Sequence, residues 1–170
     1  MLISDEYLAL QKQLHAGGGY GASSAKWAKA VSAFADQLGT RSVLDYGCGQ
    51  GLLKGALTTY SSLEISEFDP AIAGKDNPPE PADLVFCGDV LEHIEPHCLE
   101  DVLNDIARLA QKAVLLVIAT RPAKKELADG RNAHLIIEPA WWWMQRFAER
   151  WKTSSFAGSR HEFNYVGMTT

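Results

Sequence analysis

Residues 43–51 read VLDYGCGQG, a short apolar segment that ends in an acid and an aromatic residue and then places glycine at every second position. Glycine adopts positive φ without strain and lets a ligand approach the main chain closely. A helix that begins after such a loop presents free N–H groups to a ligand. In open α/β sheets, ligands bind at the carboxyl ends of the strands. The motif therefore predicts a strand, a ligand-binding loop and a helix.

The glycine spacing also separates two classes of ligand. Dinucleotide-binding domains carry the pattern GxGxxG, in which the third glycine allows the helix to pack closely on the strand. Here Leu52 follows Gly51, and the acid Asp45 lies ahead of the glycines. The spacing argues against a dinucleotide-binding oxidoreductase, which stays an alternative of another class.

Strands and helices alternate along the rest of the chain. Amphipathic spacing predicts helices in the stretches up to 14, 27–38, 52–57 and 99–109, and a further helix from Pro139. Apolar or alternating runs predict strands at 42–46, 63–68, 83–87 and 113–119, and a hairpin over 152–168. We therefore expect one α/β domain over 1–170, with an N-terminal helical segment (1–40) and a core (41–170) that holds a mostly parallel sheet.

The charge balance limits the partners. The 170 residues include 16 Lys and Arg against 21 Asp and Glu, a net charge of −5. General nucleic-acid binding needs clustered cations, and the sequence hints at such a cluster only at Lys124, Lys125 and Arg131. We expect no general binding of nucleic acid.

Cysteine usage and hydropathy point to the compartment. Cys48, Cys87 and Cys98 fit neither a disulfide framework nor a zinc motif, which predicts reduced thiols and a cytoplasmic location. The sequence has no run of about 18 apolar residues, so we expect no membrane span, and MLISDEY does not have the pattern of a signal peptide.

Several segments, in order, resemble the class I S-adenosylmethionine-dependent methyltransferases. Residues 43–51 are similar to the first motif of that family, and EFDP (67–70) to the end of its second strand. DLVFCGDVLEHI (83–94) resembles the fourth strand with the segment after it, and 114–122 resembles the fifth strand. The resemblance implies a three-layer Rossmann-like methyltransferase fold with an antiparallel C-terminal hairpin, and S-adenosyl-L-methionine as cofactor.

The resemblance also implies a set of cofactor contacts. The loop would hold the methionine part, a carboxylate would accept both ribose hydroxyls, and the backbone after the fourth strand would close the pocket beside the sulfonium. The loop residues in this set are Asp45, Gly47, Cys48 and Gly49. The carboxylate is that of Asp69, and the backbone after the fourth strand is that of Asp89 and Val90. Tyr20, which lies among glycines, is a candidate lid residue.

One departure from the family lies between Asp69 and Asp83. Only 13 residues separate them, where the family places a helix and an edge strand. We therefore expect a fold that is reduced between the second and fourth strands of the family pattern, and we assign no adenine contacts.

The acceptor side offers candidate bases. His93 follows the fourth family strand, and His134 lies in a polar loop where the family faces its acceptor. Either histidine could take a proton from a hydroxyl acceptor. As an alternative, Asp89, Glu92, His93 and His134 resemble the metal site of small-RNA 2′-O-methyltransferases, which implies metal-assisted O-methylation. A non-catalytic cofactor-binding module is a further alternative. The sequence leaves open the acceptor, a small molecule or a nucleic-acid end, and the oligomeric state.

Overall fold

A computed structural model describes residues 1–17, 24–59 and 63–170 of the chain. In chain order these three ranges contain five α-helices, with short 3₁₀ turns at Ser24–Trp27 and Leu91–His93. The helices are α1 (Asp5–Ala16), α2 (Ala28–Leu38), α3 (Leu52–Leu57), α4 (Leu99–Leu109) and α5 (Ala140–Ala148). The strands are β1 (Ser42–Tyr46), β2 (Glu64–Phe68), β3 (Ala82–Gly88), β4 (Ala110–Ala119), β5 (Lys152–Gly158) and β6 (Glu162–Met168). These elements lie close to the predicted ones.

The six strands form one sheet in the order β2-β1-β3-β4-β6-β5. The first four strands in this order run parallel, with Asp45 of β1 opposite Phe86 of β3 and Cys87 of β3 opposite Leu116 of β4. Strand β6 pairs antiparallel with β4 and β5 pairs antiparallel with β6, so the predicted hairpin forms the far edge. Because β1, β3 and β4 are covered on both faces, their sequences are apolar nearly throughout.

The expected reduction of the fold is confirmed. Residues 69–81 contain neither a helix nor a strand, and β2 forms the edge of the sheet on that side. The segment turns back through short main-chain bonds, with Asp69 N donating to Lys75 O at 2.9 Å. This segment therefore contributes no helix to the wall of the cavity described below.

Two apolar layers cover the sheet, as expected for a three-layer fold. Helices α4 and α5 bury one face, where Trp143, Phe147 and Trp151 form the predicted buried stripe. Helices α2 and α3 bury the other face against β1, β3 and β4. Trp141 points away from this stripe and is 62% exposed.

A third apolar cluster joins the N-terminus to the segment that follows β4. Tyr7, Leu127 and Ala133 are its buried members, and Leu10 and Leu135 are among the residues that pack against them. We call α1 together with residues 120–138 the cap. The cap lies over the carboxyl ends of the parallel strands, so residues far apart in sequence cover the edge where ligands of such sheets bind.

Two further expectations concern the environment of the chain. In the described ranges, every helix is too short or too polar to cross a lipid bilayer. Cys48, Cys87 and Cys98 are all free and buried.

Candidate functional site

A cavity of about 560 Å³ lies between the sheet and the cap. Its floor comes from the carboxyl ends of β1, β2 and β3 and its roof from α1, while β4 and the segment after it form a side. Cavities of this size are typical of sites for small ligands. Of the predicted cofactor residues, the cavity is lined by Gly47, Gly49, Asp69, Asp89 and Val90.

The loop after β1 needs glycine for steric reasons. Gly47, Gly49 and Gly51 have φ values of 76°, 52° and 76°. A Cβ atom at Gly47 would lie 2.5 Å from Cγ2 of Val90, which is closer than real Cβ contacts. The loop and the residue after β3 therefore pack in direct contact beneath the cavity, and only glycine fits at position 47.

The amides of this loop are hydrogen bonded within the chain. Gly47 N and Cys48 N both donate to Phe68 O, at 2.7 and 3.0 Å, and Gly49 N donates to Asp69 Oδ2 at 2.9 Å. The expectation that these N–H groups are free for a ligand is therefore wrong, because the neighbouring end of β2 accepts from all three. The bonds fix the position of the loop relative to Asp69.

Asp69 is a buried carboxylate in the cavity wall. Oδ2 accepts from Gly49 N and Oδ1 accepts from Ala71 N, each at 2.9 Å. Each carboxylate oxygen has a second lone pair, so both can still accept a hydrogen bond from a ligand. The geometry suits a fixed acceptor for a pair of neighbouring hydroxyl groups.

Asp45 and Cys48 lie behind the loop and do not line the cavity. Both are buried, with 1% of their surface exposed. Burial, and then the charge of Glu67, raises the pKa of Asp45 to about 7. Its Oδ2 has no hydrogen-bond partner among the described residues. A direct contact of either side chain with a ligand in the cavity is therefore not supported, although Asp45 stays an unsatisfied polar group next to it.

Asp89 and Val90 line the cavity at the end of β3. Asp89 has a φ of 58°, and its N–H donates to Val117 O at 3.0 Å. Its Oδ2 pairs with Lys26 Nζ at 3.2 Å. The left-handed backbone at Asp89 directs the chain toward the glycine loop, so that Val90 packs on Gly47. Tyr20 lies outside the described residues.

His93 and His134 meet in the cavity wall, with ring centroids 4.6 Å apart in an edge-on arrangement. His93 Nδ1 lies 2.6 Å from Ala133 O, and His134 Nδ1 lies 2.6 Å from Arg121 O. A carbonyl oxygen only accepts, so both Nδ1 atoms must be donors and each neutral ring carries its lone pair on Nε2. Burial lowers the pKa of His93 to about 4, and burial also lowers the pKa of His134. Both rings are neutral bases near pH 7.

Glu92 lies beneath the two histidines and is fully buried. Its Oε1 accepts from Ala119 N at 2.8 Å, and its Oε2 has no hydrogen-bond partner among the described residues. Burial raises its pKa to about 8. Glu92, His93 and His134 each offer one atom that could bind a metal ion, and these three atoms lie within 4.8 Å of one another. Asp89, the fourth member of the expected metal set, is not part of this group, and its carboxylate pairs with Lys26.

Sequence reasoning missed the residues of α1 and the cation Lys26 from the 3₁₀ turn that precedes α2. Tyr7 and Gln11 line the cavity from above, and the Tyr7 hydroxyl donates to His93 O at 2.6 Å. Lys26 binds both Asp89 and Glu162. The apolar spacing of α1 predicted a packed face, but nothing in the spacing indicates which surface that face covers.

Comparisons with known proteins agree with this geometry. A family model described as a methyltransferase domain matches residues 20–163. A search of curated protein sequences gave no significant match.

Solved structures of methyltransferases share the fold at low sequence identity. The 1,6-didemethyltoxoflavin-N1-methyltransferase of Burkholderia thailandensis superimposes with a TM-score of 0.69 at 14% identity, over 97% of this chain and 89% of that one. The magnesium protoporphyrin IX methyltransferase of Synechocystis PCC 6803, with bound S-adenosylhomocysteine, gives 0.63 at 15% identity, over 86% and 83%. A small RNA methyltransferase gives 0.64 at 12% identity, over 85% of this chain and 25% of that one.

Proposed function

Because the chain belongs to the class I S-adenosylmethionine-dependent methyltransferases, we propose that it methylates a hydroxyl group of a small acceptor bound beneath the cap. The observation that carries this proposal is the pair of neutral imidazoles, His93 and His134, in the wall of a cavity whose floor suits the cofactor. The family assignment removes the dinucleotide-binding oxidoreductase and the non-catalytic module as alternatives.

The floor of the cavity fits the cofactor of this family. Asp69 has spare acceptor capacity for the ribose hydroxyls, and Gly47 and Gly49 line the floor beside it. Val90 and the backbone of Asp89 would pack beside the sulfonium. The cofactor supplies a methyl group on a positively charged sulfur, which needs no further activation. The predicted role of Asp45 in holding the methionine part would require the cofactor to reach Oδ2 behind the loop, the atom that has no hydrogen-bond partner among the described residues.

The chain itself then has to position the acceptor, exclude water and receive a proton. Alignment of the two reactants can supply about 7–11 kcal/mol of the barrier reduction. The cap provides the enclosure, since Tyr7 and Ala123 add apolar surface above the floor. His134 Nε2 takes the hydroxyl proton while His134 Nδ1 stays bound to Arg121 O. His93 lies against the His134 ring and holds its position.

Replacement of His134 by alanine tests the proton transfer. Loss of a general base lowers kcat by about 100-fold or more. Release of S-adenosylhomocysteine, measured with a panel of hydroxyl acceptors, should show this loss while the Kd for S-adenosylhomocysteine does not change. His161→Ala removes an exposed histidine of the β5–β6 turn and should leave the rate unchanged. An unchanged rate in His134→Ala would contradict the assignment.

The pH profile gives a second readout. The pKa of His134 lies below its ordinary 6.5, because burial and the charge of Arg121 lower it by more than the hydrogen bond to Arg121 O and the charge of Asp89 raise it, and His93 lies against the ring. The base works when it is neutral, so the rate should stay on its plateau as the pH falls through 6.5 and decline only below that value.

Metal-assisted O-methylation is the second candidate function, favoured by the grouping of Glu92, His93 and His134. One carboxylate and two imidazoles are a common ligand set for divalent transition metals. The unpartnered Glu92 Oε2 is the atom that a metal ion would satisfy. A divalent ion there would lower the pKa of the acceptor hydroxyl. Calorimetric titration with Mn²⁺ or Zn²⁺, with Glu92→Gln as the variant, tests binding. Full activity in EDTA would contradict this candidate.

We also propose a cytoplasmic location and no general binding of nucleic acid. Three buried free thiols suit a reducing compartment. The excess of acids over bases weighs against a broad electrostatic contact with phosphates.

A further inference from the structure

The cavity wall on the acceptor side is unusually cationic for an acidic protein. Arg121, Lys124 and Lys125, three of five consecutive residues, line the cavity. Among the described residues, Lys26 and three carboxylates also line the cavity. Asp69 accepts two main-chain N–H groups, and Asp89 and Glu162 share Lys26. The lining therefore contains four cations against three carboxylates, and the 121–125 segment holds three of those cations and no acid.

This segment is held at a defined position next to His134. The Asn132 side chain accepts from Ala123 N and His134 N, at 2.9 and 3.0 Å, and donates to Ala123 O at 3.0 Å. Ala133 N donates to Lys125 O at 3.0 Å. These hydrogen bonds join residues 123–125 to residues 132–134. The backbone that carries Arg121 and Lys124 is therefore fixed in position beside His134, the proposed base.

A further polar group lines the same cavity from α1. Gln11 is buried, with 7% of its surface exposed, and its Nε2 has no hydrogen-bond partner among the described residues. A buried amide donor without a partner costs free energy. A ligand that accepts a hydrogen bond would satisfy it.

We propose that the acceptor carries an oxyanion group, a carboxylate or a phosphate, which Arg121 and Lys124 bind so that its hydroxyl faces His134. Guanidinium groups bind carboxylates and phosphates through paired hydrogen bonds. The apolar lining from Leu2, Ile3 and Ile94 then suits an apolar body between the two polar ends. The proposal rests on the proposed function, and it names the substrate class: small hydroxy acids or hydroxylated phosphate esters with an apolar frame.

Matched ligand pairs test this inference on the full chain loaded with S-adenosylhomocysteine. The probes are 4-hydroxybenzoate and 3-hydroxy-2-naphthoate, their neutral amides, and 4-hydroxyphenyl phosphate, each titrated by calorimetry. At least one anion should bind with a Kd about tenfold or more below that of its neutral counterpart, since hydrogen bonds to charged groups are among the stronger ones. Binding by the phosphate but by neither carboxylate would narrow the oxyanion to a phosphate.

The double variant Arg121→Gln/Lys124→Gln supplies the residue-level test. Anion affinity should fall by about tenfold or more, because two charged contacts are lost. The control Lys29→Gln/Lys152→Gln removes the same charge from exposed positions outside the cavity and should not weaken binding. Equal binding of anions and amides, an unaffected double variant, or no anion binding at millimolar concentration would overturn the inference. Failure of S-adenosylhomocysteine itself to bind would instead overturn the proposed function.

Discussion

The floor and the cap of the cavity are built in different ways. In the floor, Gly47, Cys48 and Gly49 bond to Phe68 and Asp69, the neighbouring strand end about 20 residues away. In the cap, Ser4 bonds to Glu95 and Tyr7 to His93, across 91 and 86 residues. The floor therefore belongs to the local strand-loop motif that the family shares. The cap depends on long-range contacts, and it surrounds the part of the cavity where acceptors would differ.

The largest expected effect lies in the floor, at Asp69. Asp69→Ala removes the acceptor of two main-chain N–H groups and the proposed acceptor of the ribose hydroxyls. The Kd for S-adenosylhomocysteine should rise by about 100-fold, since each lost hydrogen bond to a carboxylate costs about 1.5–3 kcal/mol. Calorimetry measures this change.

The control for Asp69 lies in the same loop. Asp76→Ala removes a carboxylate that accepts from Gly74 N at an exposed position, and it should leave cofactor affinity unchanged. Equal losses in the two variants would mean that the loop conformation, not the Asp69 carboxylate, holds the cofactor.

Close packing in the floor is tested next at Gly47. Gly47→Ala places a methyl group against Val90 at a φ of 76° and should lower the free energy of unfolding by about 2–3 kcal/mol. Urea denaturation measures the loss. Gly39→Ala is the matched control, because its φ is 61° and nothing lies within 4 Å of the added atom. It should lose only about 1–2 kcal/mol, the cost of the left-handed conformation.

The steric origin of the Gly47 effect can be tested separately. In the double variant Gly47→Ala/Val90→Ala, the total loss should be smaller than the sum of the two single losses, because the clash is relieved. Additive losses would assign the effect to backbone strain alone.

A smaller effect is expected from the pH dependence at Asp45. Its pKa is about 7 in the folded chain, above the ordinary 3.8, so the folded state holds the proton more tightly than the unfolded state. The free energy of unfolding should therefore fall as the pH rises, by about 2 kcal/mol from about pH 5 to about pH 7. Asp45→Asn should flatten the urea-denaturation profile.

Glu92 contributes in the same direction, since its pKa is raised to about 8. The measure for Asp45 is therefore the difference between the profiles of the wild type and the variant. Parallel profiles would show that Asp45 is ionised in the folded chain at neutral pH.

The smallest effect is expected in the cap. The Ser4 hydroxyl caps α1 through Tyr7 N and donates to Glu95 Oε1 at 2.8 Å. Ser4→Ala should cost about 1 kcal/mol and show as faster amide hydrogen exchange in α1, with the sheet unchanged. Ser154→Ala, at an exposed position of β5, is the control. Equally faster exchange in the sheet would mean that the cap and the floor unfold as one unit, which would remove the distinction between them.

The elements of the sheet could be predicted from local patterns. Strand β4 is an apolar run and α4 has helical spacing, so each could be recognised without knowledge of its neighbours. The reduction between Asp69 and Asp83 followed from simple counting of residues. The expectation of free amides in the glycine loop was wrong. Their acceptors, Phe68 O and Asp69 Oδ2, come from another strand end, which the pattern of the loop itself does not indicate.

The sequence by itself determined the family, the cofactor and the succession of strands and helices along the chain, because motifs and periodicities of neighbouring residues specify them. Only the tertiary structure decided that Glu92, His93 and His134 meet, that Lys26 binds Asp89, and that α1 covers the cavity. Those contacts join residues that are distant in the chain. Spacing within one segment carries information about its own periodicity, but none about which distant surface it will bury.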